Sequence, residues 1–365
     1  MNVCIIGDGL TSLSLAKNLI NKKINVHVYY KKTAKNFSSS RTIGVSKNNL
    51  EFFEKSINKL PKKKMWGIKR IEIYSEKLTK DRILDFEDNK KNLFYMIKND
   101  VLYKLLNDKL SKSKLFKKKL IKKNFSYGKL LKTNNYDLII NCDQNNEISK
   151  KYFNQKIEKD YRNYAYTTIL EHKKIKNYSA TQVFTNLGPV AFLPISNTKT
   201  SVVCSLDTSK KNYNDNQVLE LINKNNPKFK IKKIHNLSSF ELKSSNLRKY
   251  YHENILAFGE LLHRIHPLAG QGFNMTIRDI NALSEIIQNK IDLGLQLDTF
   301  VLKEFQNKTK NRNFMFSNGI DFIYEFFNFD KKNKGKNINR ILKYFGSNKT
   351  FTNLVIKFAD KGLSI

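Results

Sequence analysis

The feature that most constrains this chain is a glycine turn set between a short apolar strand and an amphipathic helix. Asn2 to Ile6 is a continuous apolar run, as expected of a strand buried on both faces. Gly7-Asp8-Gly9-Leu10-Thr11-Ser12 follows it, Leu13, Ala16, Leu19 and Ile20 then recur at helical spacing, and residues 24–30 return to strand character. Strand, tight turn, helix and strand in so short a stretch make a βαβ unit. In that context Gly7 makes the turn, Gly9 lets the backbone approach a pyrophosphate, and Ser12 is small enough for close helix–strand packing. Leu10 and Thr11 open the helix, whose free N–H groups and partial positive charge suit phosphates. A glycine turn without a ligand is the alternative. Such units place an acid at the end of the second strand to hold ribose hydroxyls, but here Tyr30 stands, followed by Lys31 and Lys32. A phenol binds a hydroxyl less strongly than a carboxylate does, and the lysines leave a phosphorylated ribose open. The turn alone therefore indicates a dinucleotide without choosing one.

Further along, residues 93–110 become helical in their second half, where Val101, Leu102, Leu105 and Leu106 share a face, and residues 136–142 (YDLIINC) form another buried-type strand. Residues 68–74 look like exposed-edge strands. Residues 190–195 and 201–206 are strands joined by Ser196-Asn197-Thr198-Lys199, which is turn chemistry for an antiparallel hairpin. A buried strand restarts at residues 255–259, and Phe273, Ile277, Ile280, Leu283 and Ile287 mark the helix after it. The pattern predicts an α/β chain: a Rossmann-like nucleotide-binding domain in three parts (1–66, 93–160, 251–300), antiparallel substrate-domain strands inserted at 67–92 and 161–250, and C-terminal helices over 301–365.

The net charge of +35, from 67 Lys and Arg against 32 Asp and Glu, invites a nucleic-acid reading. Arginine, the residue suited to bidentate phosphate and guanine contacts, is scarce, and the lysines run from end to end among many Asn and Ile. A solvated basic surface, or attraction to an anionic membrane face, accounts for the excess without nucleic acid. Cys4, Cys142 and Cys204 lie in apolar runs with neither CxxC spacing nor histidine clusters, which predicts buried free thiols in a reducing compartment and no metal site. The apolar strand at Asn2 leaves no room for a signal peptide, and no apolar stretch is long enough to span a bilayer. The expectation is a cytoplasmic protein, peripheral at most on the inner face of the membrane.

The deciding segment is Gly259-Glu260-Leu261-Leu262-His263-Arg264-Ile265-His266-Pro267-Leu268-Ala269-Gly270-Gln271-Gly272-Phe273-Asn274. Two glycines around Gln271, just before an amphipathic helix, offer bare N–H groups beside that helix's positive end. Such a site stabilises negative charge, as at N1 and the C2 carbonyl of a reduced isoalloxazine. Pro267 rigidifies the approach. His263 reads as a core or capping residue and His266 as the histidine that faces the flavin.

This segment closely resembles the GD-x-x-H-x-x-HP-x-x-GQG-x-N signature of the FAD-dependent aromatic hydroxylases of ubiquinone biosynthesis, single-component flavoprotein monooxygenases of the para-hydroxybenzoate hydroxylase class. Arg278-Asp279 continues it, and the likeness extends to residues 41–46 (RTIGVS), 95–102, 188–194 (GPVAFLP) and 312–327. The chain departs from the family at Tyr30, at Glu260 in place of the GD aspartate, and at Asp143-Gln144 in place of an Asp-Gly pair. The resemblance implies FAD held by Gly7, Gly9, Leu10, Thr11, Ser12, Tyr30, Arg41, Gly259, Glu260, Pro267, Gly270, Gln271, Gly272, Phe273 and Asn274. It further implies that NAD(P)H reduces the flavin, that O2 is the oxidant, and that His266 and Pro267 line the face where oxygen reacts. The substrate it implies is a polyprenylated phenol presented from the membrane or within a ubiquinone-biosynthesis complex, bound against residues 190–194. Plain core strand is the other reading of that stretch, as a solvated surface arginine is for Arg41. A prenyl-chain reductase on the same fold and a non-catalytic relative in a biosynthetic complex remain the alternative functions.

Overall fold

The computed structural model describes residues 1–31, 41–75, 82–87, 91–122, 125–132, 135–209, 213–266, 270–332, 360 and 362. The chain runs β1 (Asn2–Ile6), α1 (Leu10–Asn21), β2 (Asn25–Tyr30), β3 (Thr42–Ser46), α2 (Lys47–Ser56), β4 (Met65–Ile68), β5 (Arg70–Ser75), β6 (Arg82–Glu87), β7 (Phe94–Lys98), α3 (Asn99–Leu110) and β8 (Phe116–Leu120). It continues with α4 (Tyr127–Lys132), β9 (Leu138–Asn141), α5 (Glu147–Tyr152), β10 (Lys156–His172), β11 (Ser179–Thr185), β12 (Gly188–Pro194), β13 (Lys199–Asp207), α6 (Asp215–Lys224), β14 (Ile231–Ile234) and β15 (Ser238–Leu247). The last elements are β16 (Tyr251–His252), β17 (Ile255–Ala257), β18 (His263–Arg264), α7 (Gln271–Asp292) and α8 (Thr299–Lys332).

Three sheets result. The first has the order β16-β17-β9-β1-β2-β8, and its β17, β9, β1, β2 and β8 are all parallel neighbours. Both faces of such a sheet must be covered, which is why β1 and β9 read as unbroken apolar runs. Leu13, Leu15, Ala16 and Leu19 of α1 and Ile277, Ile280, Leu283 and Ile287 of α7 are buried in its core. The second sheet has nine strands, in the order β18-β15-β10-β13-β12-β11-β5-β6 with β14 beside β10. Every pairing in it is antiparallel except β11 with β5. The third is a small antiparallel sheet, β3-β7-β4.

The α/β class with an antiparallel sheet between parts of a parallel one is as the sequence pattern indicates. The 68–74 stretch is not an edge, however. β5 lies inside the nine-stranded sheet, with β11 on one side and β6 on the other. Its side chains alternate with polar residues because one face looks away from the core, and alternation of that kind reports face, not position in the sheet.

Alternation also explains the middle strands. Val190 and Phe192 of β12, with Val202, Cys204 and Leu206 of β13, pack with Val218, Leu221 and Ile222 of α6. Ala191, Leu193, Ser201, Val203 and Ser205 point to the other face. Asn214 begins α6 with a capping box, accepting the Gln217 N–H at 3.0 Å while Gln217 accepts the Asn214 N–H at 3.3 Å. No helix among the described residues is long and apolar enough to cross a membrane.

Candidate functional site

The glycine turn lies where the parallel strands end. Gly7 has φ +105°, and its N–H donates to the Tyr29 carbonyl at 2.8 Å. A side chain added there would sit 3.5 Å from the Cys142 Cβ and 3.6 Å from the Asp143 nitrogen, so β1 and β9 deliver residues 7 and 143 side by side. Gly9 begins α1 in extended conformation, with no heavy atom within 4 Å of the position a Cβ would take. The backbone at Gly9 is therefore open to an incoming group, beside the free N–H groups of Leu10 and Thr11. Ser12 is fully buried under the turn. Gly259 plays a different part from the one expected. At φ +66°, its missing side chain would stand 2.6 Å from the Thr11 Cγ2, so this glycine lets the Gly259–Leu261 turn seat against the start of α1. Glu260 is exposed on that turn.

Tyr30 is covered by a residue that the sequence pattern does not single out. Lys118 of β8 places its Nζ 4.6 Å from the centre of the Tyr30 ring and 3.1 Å from the Asp8 carboxylate. Tyr103 of α3 accepts from the same ammonium at 3.2 Å and itself donates to Asp8 at 3.4 Å. The charge of Asp8, a carboxylate inside a phosphate-type turn, is thus offset locally. One lysine in the run Phe116-Lys117-Lys118-Lys119-Leu120 gives no sign of this in a lysine-rich chain. Gln144 is not among the described residues with positive φ, so a side chain is accommodated where the family has glycine.

The second part of the site is a cavity of about 360 Å³ between the nine-stranded sheet, the small sheet and the start of α7. Ala191, Leu193 and Val203 form one wall, Phe94 and Met96 of β7 another, and Gly270, Gln271 and Asn274 a third. Thr42 bridges two of them, donating to the Ser201 hydroxyl at 2.9 Å. Gly270 caps α7 at φ +65°, ψ +27°, a left-handed conformation that costs an L side chain about 1–2 kcal/mol. A Cβ there would meet only the Gly44 backbone, at 3.6 Å, so the torsion rather than space calls for glycine. Gly272 is exposed, with open space where a side chain would be, and Phe273 is half-buried against the main core.

Asn274 is buried and fully engaged. It accepts from the Ser46 N–H at 2.9 Å and from Asn49 at 3.1 Å, and donates to the Gly44 carbonyl at 2.9 Å. It fastens β3 to α7 and so fixes two walls of the cavity. Gln271 is only 7% exposed, and its Oε1 has no hydrogen-bond partner among the described residues. Arg41 borders the cavity, its guanidinium carbon 4.9 Å from the Phe240 ring centre.

His266 is not where the sequence reading put it. It is 0% exposed, stacked on Tyr324 at 4.3 Å and set edge-on to Tyr161 at 5.0 Å, and it does not line the cavity. Burial, and secondarily the charge of Lys159, pull its pKa down to about 3, so the ring is neutral. The neutral imidazole packs between these two tyrosines, and both of its ring nitrogens are left without a hydrogen-bond partner among the described residues. Pro267, expected beside it on the reactive face, lies outside the described residues. His263 is a core residue as expected, buried and bonded through Nε2 to Asp279, which Asn313 also contacts at 2.9 Å.

The residues present fit a flavin dinucleotide. The turn at Gly9 leaves its N–H groups uncovered, Gln271 offers an unsatisfied acceptor to a ring N–H, and the N-terminus of the 22-residue α7 favours negative charge at the cavity wall.

Comparison with known proteins agrees. The family model described as FAD binding domain matches residues 142–292. The 3-demethoxyubiquinol 3-hydroxylase of Escherichia coli (strain K12) is 31% identical over 153 residues, covering 40% of this chain and 39% of that protein. The mitochondrial ubiquinone biosynthesis monooxygenase COQ6 of Dictyostelium discoideum is 31% identical over 91 residues, covering 25% of this chain and 18% of that one. The chain thus aligns with about two fifths or less of the length of these two relatives. Among solved structures, the p-nitrophenol 4-monooxygenase PnpA from Pseudomonas putida DLL-E4 superposes with a TM-score of 0.76 at 12% identity, over 99% of this chain and 98% of that one. Klebsiella pneumoniae HpxO complexed with FAD and uric acid gives 0.71 at 12% identity, over 99% of this chain and 96% of that one. The match to the FAD binding domain model covers about two fifths of the chain, and the chain has the fold of these two solved structures. Its resemblance to the ubiquinone-biosynthesis hydroxylases, read first from the segment Gly259 to Asn274, extends to the relatives found.

Proposed function

We propose that this protein is an FAD-dependent monooxygenase that hydroxylates a polyprenylated phenol ring in ubiquinone biosynthesis, with NAD(P)H as electron donor and O2 as oxidant. The observation that carries the reading is the cavity whose one wall is the Gly270-Gln271 start of α7 and whose opposite wall is apolar sheet. FAD, when bound, would supply the redox chemistry, namely hydride acceptance from a nicotinamide and oxygen activation. The chain's own residues bind, orient and exclude water. Gly7, Gly9, Leu10 and Thr11 present backbone to the pyrophosphate, and Gly270, Gln271 and Gly272 hold the flavin ring end. Ala191, Leu193, Val203, Phe94 and Met96 give an electron-rich ring an apolar seat from which water is displaced. Arg41, at the cavity border, is placed to pair with an anionic group.

The proposal includes a cytoplasmic location and contact with the inner face of the membrane, where a polyprenyl substrate resides, alone or within a biosynthetic complex. Leu293, Leu295 and Phe300 are exposed together at the α7–α8 junction, with Lys290 5.9 Å from the Phe300 ring, an arrangement suited to an anionic lipid surface.

The test is direct. Purified protein should carry or take up FAD, and its NAD(P)H oxidation should rise with a prenylated phenol. The product formed under ¹⁸O2 should gain one labelled oxygen. Uptake of FAD with phenol-independent NAD(P)H oxidation and no label in the product would overturn the assignment.

A further inference from the structure

On the far side of the Asn274 network lies a second cavity, of about 220 Å³, between α2, α7 and α8. Arg278 and Asn281 of α7, Lys308 and Arg312 of α8, and Asn48 and Asn49 of α2 line it. Residues 278 and 281 fall on one face of α7, and 308 and 312 on one face of α8, so the basic groups converge because two helical repeats meet. Both terminal nitrogens of Arg278 are buried without a hydrogen-bond partner among the described residues, and so are Nε and Nη2 of Arg312. Burial holds the Arg278 guanidinium down to about 10; Asp279 and Asp360 oppose that shift, and the neighbouring Arg312 charge adds to it. Four buried guanidinium nitrogens without partners are costly unless an acceptor is supplied.

Asp279 and Asp360 act on Arg278 through their charge, but the hydrogen bonds and ion pairs the nearby acids make go to other groups. Glu285 is held by Lys308 at 2.7 Å. Asp360 accepts from the Asn48 N–H at 3.0 Å, and Asp279 is taken up by His263 and Asn313. The guanidinium carbon of Arg278 lies over the Phe316 ring, 4.4 Å from its centre, which restrains the group in place.

We propose that this cavity binds a phosphate group. Planar guanidinium forks pair with tetrahedral oxyanions through parallel charge-assisted hydrogen bonds, and the side chains of Asn48 and Asn281 offer further donors, while Asn49 is held by Ser46 and Asn274. The volume is below that of a pocket for a drug-sized or nucleotide-sized ligand, so the occupant is inorganic phosphate or the end of a small phosphomonoester. This site is separate from the proposed flavin cavity and does not depend on the proposed reaction. It does adjoin that cavity, because Asp360 borders both.

The experiment is thermal unfolding of the full chain saturated with FAD, at constant ionic strength, with chloride exchanged stepwise for inorganic phosphate or for glycerol 3-phosphate. Phosphate should raise Tm where chloride does not, and whichever probe acts at lower concentration identifies the source. Arg312→Gln removes charged donors and should weaken the apparent phosphate affinity about tenfold or more. Asn281→Glu places a carboxylate in the cavity; it should raise Tm without phosphate and abolish the response to it, which keeps the test alive if Arg312→Gln does not fold. Equal responses to phosphate and chloride, or an unchanged phosphate response in Asn281→Glu, would overturn the proposal.

Discussion

Gly9→Val separates the cofactor role of the glycine turn from its structural role. In the folded chain Gly9 has φ −73° and ψ −179°, an extended conformation open to any residue, and no atom lies within 4 Å of an added Cβ. The cost to the unliganded fold is therefore confined to a poorer helix N-cap, about 1 kcal/mol at most. The same side chain stands in the space from which a pyrophosphate would reach the N–H groups opening α1. Each charge-assisted hydrogen bond lost costs about 1.5–3 kcal/mol, roughly ten- to a hundred-fold in affinity, so loss of two weakens FAD at least about a hundredfold. Flavin fluorescence quenching gives the FAD Kd, and thermal unfolding of the apoprotein gives the stability. Gly294→Val is the control: Gly294 has φ +68° with open space around it, so the variant should lose some stability and keep the FAD Kd. A wild-type Kd for Gly9→Val would show that no phosphate approaches this turn, and a collapsed apoprotein would show that the space is not open.

Gly188→Ala should behave in the opposite way, because at φ +141° its Cβ would lie 1.8 Å from the Ser205 carbonyl oxygen; a loss of about 3 kcal/mol or more is expected in denaturant titration. His266 makes stability pH-dependent. Its folded pKa of about 3 lies below the ordinary 6.5, so its contribution is complete above about pH 6.5 and falls as pH drops towards 3. Between pH 7 and pH 5 the wild type should lose about 2 kcal/mol more than His266→Phe, and parallel pH profiles would refute the buried neutral ring. Phe192→Ala should cost about 3–5 kcal/mol, measured by unfolding, because the ring is fully buried beneath β12. Ala191→Phe, one residue away, should leave stability and FAD Kd near wild type and abolish the phenol-stimulated oxidation of NAD(P)H, which steady-state kinetics will show.

The parallel half of the fold was legible because its signals are local. Strand, glycine turn and helix lie within residues 2–21, and a strand buried on both faces leaves an unbroken apolar run. Pairings between distant segments were not legible. β5 is joined to β11 across more than a hundred residues, and nothing in either strand names its partner. Likewise Gly259 carries the family signature, yet its partner is a threonine methyl in α1, a contact that no spacing reveals. The lysine at 118 is invisible for a different reason: among so many lysines, only the fold shows which one stands over Tyr30 and Asp8.

The site illustrates the same distinction in its chemistry. Period-two alternation left residues 190–194 open between core strand and substrate wall; one face of the strand packs in the core, and the other lines the cavity. For His266 the sequence offered a histidine beside Pro267 in the family segment, and that position suggested a place facing the flavin. The aromatic side chains that enclose it, Tyr161 and Tyr324, come from β10 and α8, and they pack the ring while leaving both its nitrogens without a partner among the described residues. Gln271 and Asn274 separate by the same test. Asn274 has its amide fully engaged and holds the walls together, whereas Gln271 is left with a buried unmet acceptor. An unmet polar atom in a cavity wall is a cost the fold bears unless a ligand removes it, and that makes Gln271 the stronger claim to cofactor contact.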